Sequence, residues 1–158
     1  MPITTPANGL SRVVLLGLLT LIGSSLSAET ATQEPALAWT HDDPDLQWGP
    51  CPDFIPTGCQ IAVLHGDPAK ENADIFFKVP GGDFTVPHHR HTSAERMVLV
   101  AGEMLVQYDG QEAIIIKPGT YAYGPPQLPH SAICQSEEPC VLFIAFEEPV
   151  DAMAIAKD

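Results

Sequence analysis

From Cys51 onward the chain is a succession of apolar runs, each only four to six residues long and each bounded by Gly, Pro, Asp, Asn or another turn-former. The runs are Gln60–Leu64, Ile75–Val79, Phe84–Pro87, Arg96–Val100, Met104–Tyr108, Ala113–Ile116, Thr120–Tyr123, Ser131–Cys134 and Val141–Phe146. They are rich in β-branched and aromatic residues, the composition of strands. Asp109-Gly110 between two such runs is a hairpin signal, and Ala101-Gly102 marks another tight reversal. No stretch past the opening segment keeps a long 3.6-residue apolar period, so long helices are excluded. One short helix is expected at Val150–Ala156. Many short strands at close spacing give an all-β sandwich or barrel, and periodicity alone does not choose between them.

The opening segment, residues 1–28, has the order of a secretory signal. Arg12 supplies a positive charge, Val13 to Ile22 is apolar, and small residues follow to Ala28. The apolar run is shorter than the roughly 20 residues a membrane span needs. Cleavage there places the protein in the periplasm or outside the cell, with no membrane attachment. Residues 29–50 are polar and aperiodic and read as an irregular lead-in, which Trp39 and Trp48 would pin to the barrel wall. Residues 51–150 form one domain and 151–158 a tail. Past residue 28, six basic residues face 20 acidic ones, a formal charge of −14. Such a surface excludes nucleic acid and anionic membranes as partners. Four cysteines allow three connectivities. In an oxidising compartment disulfides are the default, and the expected pairs are the local ones, Cys51–Cys59 and Cys134–Cys140. The zinc alternative lacks the C-x-x-C spacing of such sites.

The chemistry concentrates in His88-His89-Arg90-His91-Thr92-Ser93-Ala94-Glu95. On a strand, residues two apart share a face, so His89 and His91 can approach one ion. Thr92 to Ala94 read as a turn that lets Glu95 open the next strand beside them. His130 follows at the end of a Pro-rich turn. Three imidazoles and a carboxylate suit one divalent transition metal, such as Fe, Mn, Zn or Ni, and Co and Cu also fit. Open coordination positions would take water or substrate.

Gly82 to Gly102 resembles the first cupin motif: a Gly, a spacer, His-x-His, three residues, Glu, six residues, Gly. Gly119 to His130 resembles the second. Gln127 stands where that motif has Gly, at the turn that presents His130, and Cys134 stands where it often has Asn. The chain looks like a small single-domain bacterial cupin of the kind similar to the cupin domain of the anti-sigma factor ChrR. The resemblance implies a jelly-roll β-barrel with the metal near one mouth, and a homodimer through barrel edges. It implies no particular reaction, because one fold hosts many.

Strand alternation nominates Thr85 and Pro87 for the face of His89 and His91, Met97 and Leu99 for that of Glu95, and Ala132 and Cys134 for that of His130. Together they would wall an apolar pocket for a small molecule. Glu95 and Tyr123 are the candidate catalytic groups, with Tyr121 a second phenol; core packing is the alternative for both tyrosines. His88 is expected outside the ligand set, His65 in a turn, His41 and Glu103 in solvent, and Arg96 outward on a surface acid. Three functions fit: a metal-dependent enzyme, either oxygen-using or redox-neutral, on a small organic molecule; a non-catalytic sensor or binding module; and a metal-free storage protein.

Overall fold

The computed structural model describes Met1 and residues 33–156. The expected export signal, 1–28, lies outside the described residues apart from Met1. The chain divides into two units, Met1–Ala36 and Leu37–Asp158, and all the described secondary structure belongs to the second. It comprises β1 (Trp48–Pro50), β2 (Gln60–His65), β3 (Ala73–Val79), β4 (Phe84–Arg90), β5 (Glu95–Ala101), β6 (Met104–Tyr108), β7 (Ile114–Ile116), β8 (Tyr121–Gly124), β9 (His130–Cys134), β10 (Cys140–Phe146) and β11 (Met153–Ala154). No helix among the described residues is long and apolar enough to cross a membrane.

Two antiparallel sheets form, ordered β1-β2-β3-β10-β5-β8 and β11-β4-β9-β6-β7. Their facing sides share one core. Ile75, Val79, Leu99, Leu142 and Ile144 come from the first sheet, and Val86, Met104, Val106 and Ala132 from the second. The first sheet is also covered on its outer side, where Leu46, Ala62, Phe76 and Val141 form a second apolar cluster flanked by Trp48. Covering both faces explains why β3 and β10 read as nearly continuous apolar runs rather than as alternating strands.

Four expectations are corrected. Val150–Ala156 is not a helix, because β11 pairs antiparallel with β4, Met153 opposite Arg90 and Ala154 opposite His89. The lead-in is not irregular to its end, because Trp48–Pro50 pairs with β2. Trp48 is held there with the Lys78 ammonium 3.8 Å from its ring centre, whereas Trp39 is exposed. Thr85 and Pro87 do not share the inward face of His89 and His91. Val86 opposes Ala132 and His89 opposes His130, three steps on β4 against two on β9. This β-bulge inverts the alternation, so that Val86 and His89 both point inward while Thr85 is exposed. His65 closes β2 rather than forming the turn that follows.

Both expected disulfides are present, Cys51–Cys59 and Cys134–Cys140. The second joins β9 to β10 across a six-residue separation, and Gly102 packs on it. A Cβ at Gly102 would lie 2.7 Å from Cys140 Sγ.

The turn Pro125-Pro126-Gln127-Leu128 delivers the chain to His130. Leu128 N donates to Pro125 O at 3.4 Å, and Gln127 has φ 62°. Pro at the second position and a left-handed residue at the third define a type II turn, where Gly is favoured. Gln127 keeps the turn in the conformation of the expected Gly, and its N–H donates to His91 O at 2.9 Å. The left-handed conformation costs a non-Gly residue about 1–2 kcal/mol, and Gly would return ~0.5–1 kcal/mol of that as chain entropy. Gln127→Gly should therefore raise stability by up to about 1 kcal/mol, read from the urea midpoint. No gain would show that the exposed Gln127 side chain supplies a compensating contact.

Candidate metal centre

One end of the sandwich collects the polar residues. His89 lies near the end of β4, His91 just beyond it, Glu95 at the start of β5 and His130 at the start of β9. Tyr108 closes β6 opposite His130, and Gly124 closes β8 opposite Glu95. His89, His91, Glu95 and His130 are all buried. The ligand atoms of the three histidines lie within 4.8 Å of one another. Glu95 reaches two of them, with Oε1 3.3 Å from His91 Nε2 and Oε2 3.6 Å from His130 Nε2.

Each imidazole is oriented by the main chain. His89 Nδ1 lies 2.7 Å from Pro87 O, His91 Nδ1 2.5 Å from Asp151 O, and His130 Nδ1 3.2 Å from Leu128 O. A carbonyl only accepts, so each Nδ1 carries the hydrogen and each Nε2 keeps its lone pair. His91 Nε2 is fully buried and makes no hydrogen bond. A buried acceptor without a partner is costly, and a cation at the centre of the cluster would satisfy it. The donor set therefore fits a transition metal. Backbone carbonyls on the second ring nitrogen are the usual outer support of metal-bound histidine.

Burial also sets the charge state. Desolvation, with the neighbouring His91 second, pushes His89 down to about 4. Desolvation, with His89 second, takes His130 to about 3. His91 is lowered by the same burial. All three imidazoles are thus neutral, the form that binds metal, at any physiological pH. Burial, reinforced by the Asp151 charge, pushes the Glu95 carboxyl up to about 8.

A cavity of about 520 Å³ opens from these groups into the sandwich. Its walls are mostly apolar, with Ile75, Met97, Val106, Ala132, Ile144 and Phe146 among them. Met97 and Ala132 line it as expected from their strands. Leu99 and Cys134 are fully buried core beneath it. The segment around Cys51 forms part of the wall, and the Phe54 ring stands 5.8 Å from that of His89.

Tyr123 is corrected as a catalytic candidate. Glu95 opposes Gly124 and Arg96 opposes Tyr123, so Tyr121 and Tyr123 face outward and are exposed. Arg96 also points out and pairs with Glu147 at 2.6 Å. His88 Nε2 pairs with Asp109 at 2.9 Å, away from the cluster. Glu103 pairs with Lys117 at 2.8 Å.

The phenol at the site is Tyr108, which the sequence reading passed over. Its ring lies 4.7 Å from that of His130, and its buried hydroxyl has no hydrogen-bond partner. Burial, with Glu95 close by, pushes this phenol well above its ordinary value, so it remains an O–H. Met104, Val106 and Tyr108 alternate inward along β6, and that alternation is the signal that marks it. Asp151 and Thr92 carried no such signal. Asp151 accepts from Thr92 N at 2.8 Å and Thr92 Oγ1 at 2.5 Å, which fixes the carbonyl that orients His91.

Comparison with known proteins agrees with this fold. Residues 75–146 match the family model described as the cupin domain. Among solved structures the chain is similar to the DMSP lyase DddQ from Ruegeria pomeroyi DSS-3, at 18% identity over 69% of this chain and 60% of that one, with a TM-score of 0.58. It is similar to the polyketide cyclase RemF from Streptomyces resistomycificus, at 18% identity over 78% and 88%, with a TM-score of 0.61. It is also similar to an RmlC-like cupin from Shewanella frigidimarina NCIMB 400, at 19% identity over 75% and 94%, with a TM-score of 0.57. At these identities the likeness shows the fold, and this chain spans only 60% of the lyase's length. None of the curated proteins compared with it matches.

Gly124 is the residue whose lack of a side chain the site requires. A Cβ there would lie 2.6 Å from Tyr108 Oη and 2.9 Å from Glu95 Oε2. Gly124→Ala must displace one of them and should lower zinc affinity at least tenfold in a competition titration, the usual scale for disturbed ligand support. Gly49→Ala, whose Cβ would meet nothing nearer than 3.9 Å, should leave it unchanged.

Proposed function

The chain carries a cupin domain, and from that premise we propose that it is an exported metal-dependent enzyme acting on a small organic molecule. His89, His91, Glu95 and His130 would hold one divalent transition metal. The observation that carries this reading is the convergence of three neutral, backbone-oriented imidazoles on one point at the end of a deep apolar cavity. A purely structural ion needs no such cavity beside it, whereas a catalytic metal keeps a position open to ligand. Bound there, the metal would polarise an oxygen of the small molecule as a Lewis acid, or bind substrate and O₂ together if it is iron. The chain's own part is to fix the ligands, keep bulk water from the apolar walls and orient the molecule. The solved relatives include a DMSP lyase and a polyketide cyclase, both acting on small molecules. Export is supported by the two disulfides, which persist in oxidising compartments. A homodimer through the barrel edges belongs to the same reading, since unpaired strand edges favour pairing.

Elemental analysis of the purified protein should find about one transition metal per chain. His91→Ala and Glu95→Ala should lose it. Absence of metal from the wild type, even after reconstitution, would end the enzyme reading.

Glu95 also gives a pH signature. Its carboxyl is pushed up to about 8, so at pH 7 the empty site holds the proton and metal binding must expel it. Calorimetry in two buffers of different ionisation enthalpy should find about one proton released per metal at pH 7, and far less at pH 9. Metal affinity should rise from pH 6 to 8 and then level. Glu95→Gln, titrated at metal concentrations high enough to fill the three-histidine site, should bind without releasing the proton, and release that persists in that variant would assign the proton to another group.

A further inference from the structure

Tyr108 holds a hydroxyl that the fold itself does not use. The residue is only 7% exposed, and its Oη is buried without a partner. Protein interiors rarely leave such a donor unmade, because its desolvation is not repaid. The hydroxyl stands beside the Glu95 carboxyl, since both flank the point where a Gly124 side chain would sit. The ring packs beside that of His130, and the side chain lines the cavity. The hydroxyl therefore stands among the groups that would hold the metal, on the wall of the same cavity.

The charges of the cavity add a second constraint. Among the described residues lining it there is no Lys or Arg. Its charged or chargeable groups are the three histidines, Glu95 and Asp151, all gathered at the metal end. The remainder is apolar, so a charged group buried there would have no partner.

We propose that Tyr108 is the ligand-reading donor of this site: its hydroxyl hydrogen-bonds an oxygen that a small molecule places on the metal, and the apolar cavity admits only a molecule whose far end is uncharged. The inference rests on the metal site proposed above and narrows its substrate class. Small, single-headed oxygen chelators with an apolar body belong to that class. Dicarboxylates and molecules with a remote phosphate do not.

The test uses the full chain loaded with Co²⁺, whose visible absorption reports ligand binding without turnover. The probes are benzohydroxamic acid and 4-carboxybenzohydroxamic acid, which share a chelating head and differ in a charge at the far end. The wild type should bind the uncharged probe at least tenfold more tightly, as expected for an unpaired buried charge. Tyr108→Phe keeps the ring and removes the unpartnered hydroxyl. It should load cobalt normally and melt no lower than the wild type. It should bind benzohydroxamic acid roughly tenfold more weakly, the scale of one hydrogen bond. Equal affinity in Tyr108→Phe and wild type would overturn the role of Tyr108. Equal affinity for the two probes would overturn the charge selection. A wild type with no cobalt spectrum would instead overturn the metal reading, and this inference with it.

Discussion

Three hydrogen bonds to main-chain carbonyls, from the Nδ1 atoms of His89, His91 and His130, are the constraint on which the site depends. Each fixes a tautomer and a ring direction together. Without them, three clustered imidazoles would each sample two tautomers, and the cluster would have no common centre. Two of the carbonyls, Pro87 and Leu128, lie two residues before the histidine they orient. Those ligands are set by local chain geometry. The third is supplied across 60 residues by Asp151, itself held by Thr92. Burial completes the arrangement by keeping the imidazoles neutral.

The sandwich serves this constraint by bringing strand ends to one side. The bulge in β4 between Val86 and His89 is the local device. A regular strand in the register of Val86 would leave His89 and His91 on the wrong face, because a one-residue shift turns every side chain over. The extra residue is absorbed just before the first ligand, and the alternation then runs correctly through both histidines.

Much of this was legible in the sequence. The nine apolar runs became nine strands, with boundaries shifted by at most three residues. His89, His91 and Glu95 were marked by spacing, because two residues on a strand and a short turn are local geometry, whereas His130 was marked only by the resemblance of Gly119–His130 to the second cupin motif. What was not legible depended on nonlocal pairing. The bulge put Thr85 outside, although simple alternation put it inside. Tyr123 faced outward because the β5–β8 register set Gly124, not Tyr123, against Glu95. The tail was apolar enough for a helix, and only the free edge of β4 made it a strand. Gln127 shows the reverse case: the turn kept its shape although the residue that favours it was missing, since the flanking Pro126 and the hydrogen bond to His91 O over-determine it.

Strand β11 has a consequence for the order in which the molecule comes together. Synthesis runs from the N-terminus, so His89 and His91 emerge long before Asp151. Until β11 docks, β4 can already pair with β9 and gather all three imidazoles while the third carbonyl is still out of place. At that stage His91 is free to turn its ring, and an ion bound there would be held by an unfinished cage. The finished cage forms only when Met153 and Ala154 dock beside β4 and Asp151 reaches Thr92. A metal bound at this site would therefore be held by the complete cage only once the C-terminal strand is in place.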